Sequence, residues 1–303
     1  MDQIKTAKEY NIMMGAYEHE GIKFVPYLTP PETWTELQEF EVRDDDVFII
    51  SVPKSGSHWM IEIVQLLHND AQADKVDRSN LDTALETRLG EGTLPGYKKA
   101  VSWNSPRVIL SHCHAHLLPR QVWQKKPKVI YMVRNPKDVA VSGFNFLKQV
   151  LPPFIRDVNA YTENVISDDN IGCDWFKHVL GYLPHENDDN FLLVKYEDLQ
   201  KDLKGQLVRI NDHLGRPLPQ DKLDQVAQLS TFSGMQKSYA EADRKAAEKG
   251  QDYTPSKVAG TTSYLNKGKV GQWKELFSVE VNAKFDKIYQ EKMQGSGLTV
   301  DFE

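Results

Sequence analysis

The chain has 303 residues, of which 40% are hydrophobic and 26% charged, and its formal net charge is −6 at pH 7. This length and apolar content suffice for a large hydrophobic core, and no internal repeat or low-complexity segment indicates a solenoid or a disordered chain. The acidic balance argues against non-specific nucleic-acid binding, which needs a basic surface.

Cysteine content and hydropathy bear on the cellular compartment. The chain has two cysteines, Cys113 and Cys173, which are too few for a disulfide framework or a cysteine-rich metal site and favour a reducing compartment. Residues 1–6 are polar and lack the apolar core of a signal peptide. No window approaches the ~18 apolar residues of a membrane span. We therefore expect a cytoplasmic protein that binds neither a membrane nor nucleic acid.

The first predicted core strand, at residues 47–50, leads through a polar turn into a helix. Apolar residues recur at helical spacing after the turn, at Met60, Ile63, Val64 and Leu67. The turn thus lies at a helix N-terminus, where free backbone N–H groups and the helix dipole attract anions. Lys54 adds a positive charge, and Gly56 allows a ligand to approach the backbone. Ser55 and Ser57 can cap the helix or bind a phosphate oxygen. The turn is a candidate phosphate site; the alternative is an ordinary strand-turn-helix corner with a surface lysine.

Three further apolar runs, at residues 107–111, 128–133 and 191–194, are predicted to be strands. They lead to His112, Arg134 and Tyr196, respectively. After the second of these runs, Asn135, Pro136 and Asp138 indicate the start of a helix.

Apolar strands that alternate with amphipathic helices predict an α/β fold with a central, mostly parallel sheet flanked by helices. The phosphate-binding loop after the first core strand would be P-loop-like. In such sheets ligands bind beyond the carboxyl ends of the strands. The side chains expected to approach one crevice are Lys54, His112, Arg134 and Tyr196.

The phosphate turn differs from that of nucleoside triphosphatases. Their loops have two glycines four residues apart followed by Lys-Ser/Thr, whereas Lys54 precedes the single glycine of this turn, Gly56. No acidic residue at a strand end is a clear Mg²⁺ ligand; Asp138 and Asp198 are candidates, but both lie where a helix cap is expected. Metal-dependent phosphoryl transfer is therefore disfavoured.

Several motifs occur together along the chain. They are residues 40–48, Val52-Pro53-Lys54-Ser55-Gly56, Ser105-Pro106-Arg107, residues 134–142, Tyr196-Glu197-Asp198 and residues 267–274. In this order and spacing they resemble the cytosolic sulfotransferase family, whose members transfer a sulfuryl group from 3′-phosphoadenosine 5′-phosphosulfate (PAPS) to small acceptors. The resemblance covers nearly the whole chain. It implies one sulfotransferase domain over residues 1–303, PAPS as donor, its 3′,5′-bisphosphate PAP as product, and a small-molecule acceptor with a hydroxyl or amine.

The resemblance also implies roles for individual residues. Lys54 matches the lysine that stabilises the leaving phosphate, and His112 matches the general base, a role suited to histidine near neutral pH. His114 and His116 are accompanied by no second cluster of metal ligands, so we expect no metal. The positions that match nucleotide-binding residues are Lys54, Ser55, Gly56, Ser57, His58, Trp59, Arg134, Ser142, Tyr196, Ser230, Phe232, Met235, Asn266, Lys267 and Gly268.

The sequence departs from the family pattern near the expected site. Leu110 replaces a lysine two residues before the base, so transfer is expected to rely more heavily on Lys54. His58 replaces a threonine of the first loop and could supply a cation when protonated. Asn266 replaces an arginine, which weakens the expected grip on the 3′ phosphate.

The family's dimer motif is also degraded. Ser278-Val279 stands in place of Thr-Val, and Ala283 stands where glutamate is expected. The resemblance allows a homodimer, but one formed through this degraded motif is disfavoured.

Two polar regions, residues 70–100 and 236–263, are predicted to be mobile loops that cover the site. The aromatic candidates for the acceptor pocket are Phe24, Phe144, Phe146 and Tyr239, each of which could instead be a core residue. The leading interpretation is a PAPS-dependent sulfotransferase. One alternative is a non-catalytic relative that binds nucleotide or ligand, with which the departures near the site are compatible. A small-molecule kinase is a less favoured alternative.

Overall fold

A parallel sheet forms the centre of the computed structural model, which describes residues 14–78, 83–88, 92–150, 157–171, 173–248, 250 and 268–303. The strands are β1 (Tyr17–His19), β2 (Ile22–Phe24), β3 (Val47–Ser51), β4 (Val108–Ser111), β5 (Lys128–Val133) and β6 (Phe191–Lys195). β1 and β2 form an antiparallel pair, and the central sheet has the order β4-β3-β5-β6 with parallel pairing throughout. The predicted α/β fold is confirmed, and each core strand lies within one residue of its predicted bounds.

Helices flank this sheet. They are α1 (Thr33–Gln38), α2 (Ser57–His68), α3 (Gly96–Ala100), α4 (Arg120–Lys125), α5 (Pro136–Val150), α6 (Val158–Val165), α7 (Trp175–Tyr182), α8 (Tyr196–Lys201), α9 (Leu203–His213), α10 (Gln220–Leu229), α11 (Phe232–Glu248) and α12 (Val279–Met293). Short 3-10 turns occur at Ala73–Lys75, Ala115–Leu117, Leu183–His185 and Gln272–Glu275. Within the ranges given above, no helix is long and apolar enough to cross a membrane.

Every residue of β3 is buried, because a hydrophobic cluster covers each face of the sheet. Phe48 and Ile50 pack into a cluster with residues of α1 and α7. Val47 and Ile49 pack into a second cluster with residues of α2, α9 and α10. Successive side chains of a strand point to opposite faces, so a strand covered on both faces needs an unbroken apolar run. The polar side chains of this region therefore begin where the strand ends.

One of the two expected loops is helical over part of its length. α11 occupies residues 236–248 of the region 236–263, and its buried residues Met235, Tyr239 and Ala246 recur at helical spacing. The prediction of a loop was wrong for this part, because the Ala, Glu, Lys and Arg residues that make it polar are also strong helix formers. Residues 251–263 lie outside the described residues. In the region 70–100, the described residues include one 3-10 turn and α3.

Candidate active site

The polar residues that follow β3, β4, β5 and β6 line one cavity of ≈ 950 Å³. The four strands are parallel, so their carboxyl ends lie at the same edge of the sheet, where ligands bind in such folds. The expected site residues that line the cavity are Lys54, Gly56, Ser57, His58, Trp59, His112, Arg134, Ser142, Phe146, Tyr196, Ser230, Phe232, Met235 and Gly268. Leu110, which stands where the family pattern has a lysine, also lines it.

The turn after β3 folds back sharply at the N-terminus of α2. Lys54 and Gly56 both have left-handed backbone angles, with φ of 73° and 99°. A Cβ on residue 56 would lie 2.7 Å from Cδ2 of Tyr196, so the close approach of this ring requires glycine. The first amides of α2 have no acceptor within the helix. The Ser55 hydroxyl is buried and has no hydrogen-bond partner among the described residues. The turn therefore offers donors and a helix dipole to an anion.

The Lys54 side chain lies in surroundings that disfavour its charge. Its Nζ is 4.3 Å from the centre of the Phe146 ring, and Arg134 Nη1 donates to the Lys54 carbonyl at 3.2 Å. Burial, and then repulsion by Arg134, lower the pKa of Lys54 to about 8. At neutral pH the side chain is a cation close to its titration point, and a bound anion would stabilise its charge.

Arg134, directly after β5, contacts three neighbours in addition to the Lys54 carbonyl. Its Nη2 donates to the Lys269 carbonyl at 3.2 Å, and its Cζ is 4.3 Å from the centre of the Tyr196 ring. The Asp138 carboxylate lies 4.0 Å from Nη2. Its Nε is buried and has no hydrogen-bond partner in the part of the chain that the structure describes. A guanidinium with an unused donor at a cavity wall is suited to binding an oxyanion.

Aromatic side chains form a wall beside the phosphate turn. Trp59 meets the Tyr196 ring edge-on, with 5.5 Å between the ring centres. Trp59 Nε1 donates to the Ser230 carbonyl at 2.7 Å, which ties α2 to the residues that precede α11. Phe232 and Met235 also line the cavity. These surfaces are suited to a planar heterocycle.

Asp138, in the first turn of α5, holds the segment before α12. Its Oδ2 accepts a hydrogen bond from Gly271 N at 2.7 Å, and its Oδ1 accepts one from Trp273 N at 3.2 Å. The helix start is capped instead by Asn135, whose Oδ1 accepts from Asp138 N at 2.8 Å. Asp138 also accepts from Asn135 Nδ2 at 3.0 Å at the helix start, so it links the start of α5 to a distant segment. The link lies close to Gly268, but the expected site residues Asn266 and Lys267 lie outside the described residues.

His112, directly after β4, has a fixed proton position. Its Nδ1 is 2.7 Å from the Ser51 carbonyl. Because a carbonyl only accepts, Nδ1 carries the proton and Nε2 of the neutral ring carries the lone pair. Burial lowers the pKa of His112; Glu86 and the Ser51 carbonyl raise it, and Lys54 lowers it. The ring is therefore a neutral base at pH 7, located at the cavity wall.

The two histidines that follow lie in different surroundings. His114 is 2% exposed, and its ring centre is 5.1 Å from that of His178. The His116 side chain is 48% exposed. Among the residues with described positions, no group of three or more His, Cys, Asp or Glu side chains could hold a metal ion.

Three of the four aromatic residues expected in the acceptor pocket pack away from this cavity. Phe24 packs against a tryptophan of α1 with 4.4 Å between ring centres, and Phe144 packs against a tyrosine of α6 at 6.1 Å. Tyr239 is 1% exposed in the core. Phe146 does line the cavity. Residues two apart on a helix point about 200° apart, so Phe144 and Phe146 cannot share one side of α5.

Sequence reasoning missed the two groups that hold His112. Ser51 acts through its backbone carbonyl, which no motif reveals. The pairing of Ile50 with Ser111 puts Ser51 beside His112, so a correct strand register would have located it. Glu86 lies in a charged stretch that looks like surface, and no pattern marks it as buried.

Comparisons with known proteins identify the family of this chain. The family model of the sulfotransferase domain matches residues 44–297. Sulfotransferase 2A1 of Rattus norvegicus is 34% identical over 285 residues, which cover 91% of this chain and 94% of the relative. The amine sulfotransferase of Oryctolagus cuniculus is 31% identical over 282 residues, covering 91% of this chain and 89% of the relative.

Two solved structures have the same fold as this chain. The mouse sulfotransferase SULT7A1 complexed with PAP is 29% identical, with a TM-score of 0.74 and coverage of 93% of this chain and 95% of that chain. Retinol dehydratase in a complex with retinol and PAP has a TM-score of 0.81 at 19% identity, covering 99% and 98%. The second likeness concerns the fold alone.

Proposed function

Because the chain belongs to the sulfotransferase family and is thus a sulfotransferase, we propose that it transfers the sulfuryl group of PAPS to a hydroxyl or amine of a small molecule and releases PAP. PAPS supplies an activated sulfuryl group, whose bond to the 5′-phosphate oxygen breaks as the bond from the acceptor to sulfur forms. One observation carries the proposal: His112, with its Nδ1 proton held on the Ser51 carbonyl, and Lys54 line the same cavity.

The residues around the turn fit the nucleotide end of PAPS. The first turn of α2 and the buried Ser55 hydroxyl offer donors to the 5′ phosphate. Arg134, with its unused Nε, and Ser142 suit the 3′ phosphate. Trp59 and Tyr196 suit the adenine ring. The further nucleotide contacts that we propose are Gly56, Ser57, His58, Ser230, Phe232, Met235, Asn266, Lys267 and Gly268. The 29% identical mouse sulfotransferase is described as complexed with PAP, which supports this donor.

The chain supplies a base and a cation for the transfer. His112 takes the acceptor's proton at Nε2, and a base in this position typically contributes about 10²–10⁴ in rate. Lys54 stabilises the negative charge that develops on the leaving phosphate. Leu110 brings no second cation to the cavity, so this stabilisation depends on Lys54. Together with Arg134 and the α2 dipole, Lys54 provides positive charge without a metal.

The apolar part of the cavity lining is suited to an apolar small molecule. It includes Leu28, Leu110, Val141 and Phe146. Related proteins are named as a 3-alpha-hydroxysteroid sulfotransferase and an amine sulfotransferase, which supports a hydroxyl or amine acceptor here.

The same reasoning extends to the whole chain. We propose that residues 1–303 form one cytoplasmic sulfotransferase domain, since the family model spans 44–297. The net charge of −6 argues against a nucleic-acid partner. The altered dimer motif at Ser278-Val279 and Ala283 argues against a homodimer through that segment.

A transfer assay tests the proposal. The protein is incubated with sulfur-labelled PAPS and a panel of hydroxyl and amine acceptors, alongside His112→Ala. The matched control is His116→Ala, which removes an exposed histidine four residues further on. We expect His112→Ala to lose about 10²-fold or more in kcat, with PAP binding retained, and His116→Ala to behave as wild type. Equal transfer by His112→Ala would contradict the base, and no transfer to any acceptor despite PAP binding would identify a non-catalytic relative.

A further inference from the structure

Glu86 lies behind the cavity wall, beside the candidate base. The segment around it continues the sheet at the edge strand β4: Ala84 and Leu110 form a parallel bridge, and Leu85 N donates to the Leu110 carbonyl at 2.7 Å. Two residues further along, this register brings Glu86 next to His112. Glu86 is 4% exposed, so its carboxylate is shielded from water.

Both carboxylate oxygens of Glu86 hold the end of β4. Oε1 accepts a hydrogen bond from His112 N at 2.9 Å, and Oε2 accepts one from Ser111 Oγ at 2.9 Å. The Ser111 hydroxyl accepts in turn from Cys113 N at 3.1 Å. One side chain therefore fixes three consecutive residues, directly or through a hydroxyl.

Gly96 allows the start of α3 to pack closely against the Glu86 segment. Gly96, the first residue of α3, donates its N–H to the Thr87 carbonyl at 2.9 Å. A Cβ on Gly96 would lie 2.2 Å from the Ala84 carbonyl oxygen. The location of Glu86 relative to β4 is thus determined by packing as well as by its own hydrogen bonds.

The charge of Glu86 acts on the protonated form of His112. Burial lowers the pKa of His112, Glu86 raises it, and Lys54 lowers it. The titratable groups that interact with His112 or its backbone are Lys54, Glu86, Cys173 and His178. Among these groups in the described ranges, Glu86 is the carboxylate. Its negative charge lies in a buried site, where an opposite charge stabilises an imidazolium.

We propose that Glu86 is a positioning residue of the transfer reaction, which fixes the backbone of His112 at the end of β4 and stabilises the imidazolium formed when His112 takes the acceptor's proton. This inference rests on the proposed role of His112 as the base. In a Ser-His-Asp triad the carboxylate bonds to the histidine ring. Here the ring Nδ1 bonds to the Ser51 carbonyl, and the carboxylate acts from the backbone side of the residue.

Three variants separate charge from geometry. Glu86→Gln keeps the shape and can still accept from His112 N, but it removes the charge. Glu86→Asp keeps the charge on a shorter side chain. Glu62→Gln is the matched control, because Glu62 is also a fully buried carboxylate but pairs with Arg78. For each protein, the His112 pKa is measured by NMR titration of the ring, kcat and KM are measured against pH, PAP affinity by calorimetry, and folding by thermal unfolding.

In Glu86→Gln we expect the pKa of His112 to fall and kcat to drop about tenfold or more, though less than in His112→Ala. PAP affinity and acceptor KM should stay within roughly twofold of wild type, because ground-state binding is untouched. Glu86→Asp should keep the His112 pKa closer to wild type, and Glu62→Gln should change neither quantity.

The proposal is overturned if Glu86→Gln leaves the His112 pKa and kcat unchanged, or if its loss of kcat is matched by an equal loss of PAP affinity. If Glu86→Gln fails to fold, Glu86→Asp decides. A reduced kcat with wild-type PAP affinity then supports the positioning role, because the shorter side chain cannot hold both His112 N and Ser111 Oγ. A wild-type kcat overturns the positioning role. A lowered His112 pKa in a protein that sulfates no acceptor would support the role of Glu86 and contradict the proposed function, so the two failures are distinguishable.

Discussion

Gly56 and Tyr196 are in such close contact that a Cβ on residue 56 would stand 2.7 Å from Cδ2 of the tyrosine ring. The contact joins the phosphate turn after β3 to the start of α8, two strands away in the sheet. Both the turn and the ring line the cavity. The geometry of the candidate nucleotide site therefore depends on a position with no side chain.

Gly56→Ala should disrupt this contact. The added methyl group must displace the ring, and φ of 99° strains any other residue. We expect a loss of about 1–3 kcal/mol in the free energy of unfolding and at least tenfold in PAP affinity, measured by chemical denaturation and calorimetry. Gly215→Ala is the control, since Gly215 also has a left-handed φ but has no atom within 4 Å of a Cβ. Wild-type PAP affinity in Gly56→Ala would show that the contact is dispensable.

PAP binding should depend on the protonation of Lys54. The pKa of Lys54 is lowered to about 8, so in the free protein its charge is lost as the pH rises through that value. We expect PAP affinity to decline above about pH 8, because the free protein then loses the Lys54 charge that attracts a phosphate. Calorimetry between pH 6.5 and 9.5 measures this decline. Lys54→Met should bind PAP more weakly and lose this part of the pH dependence. A decline that persists unchanged in Lys54→Met must come from another group.

The charge of Lys54 should lower the free energy of unfolding at neutral pH. Between the folded pKa of about 8 and the ordinary value of 10.5, the unfolded chain binds more protons at Lys54, so stability rises with pH in that window. Below it, the buried charge destabilises the folded state. Lys54→Met should therefore raise the free energy of unfolding at pH 7 by roughly 1–2 kcal/mol, a discounted value because the side chain is partly exposed. Urea denaturation at pH 7 checks this, and a less stable Lys54→Met would contradict it.

Asp138 should control the order of the segment at residues 268–273. Asp138→Ala leaves the N–H groups of Gly271 and Trp273 without their acceptor, which we expect to cost about 1–3 kcal/mol. Amide exchange measured by mass spectrometry should become faster in this segment, and PAP affinity should fall. Asp198→Ala is the matched control, because Asp198 also lies in the first turn of a helix after a core strand. Equal exchange in the two variants would show that Asp138 does not hold the segment.

The sequence revealed the parts of the fold that depend on local rules. The core strands were predictable because burial on both faces demands continuous apolar runs. Lys54, His112 and Arg134 were predictable as neighbours because parallel strands end at one edge. The residues of the acceptor pocket were harder to predict. Phe144 and Phe146 are equivalent by residue type, and only their positions around the axis of α5 distinguish them. Glu86 was missed because its burial arises from a bridge to β4 and from the close packing of Gly96, both of which are tertiary.

The strand order gives the two halves of the cavity different mechanical support. β3 and β5 lie inside the sheet with a strand on either side, whereas β4 is an edge strand that has β3 on one side and a bridge at Ala84 on the other. Edge segments open at a lower free energy than the interior of a sheet. The half of the cavity behind Lys54 and Arg134 is therefore supported by paired strands on both sides, while the half that carries His112 depends on the Glu86 segment for its second side. A change in that short segment would thus disturb the end of β4 before it disturbed the strands behind Lys54 and Arg134.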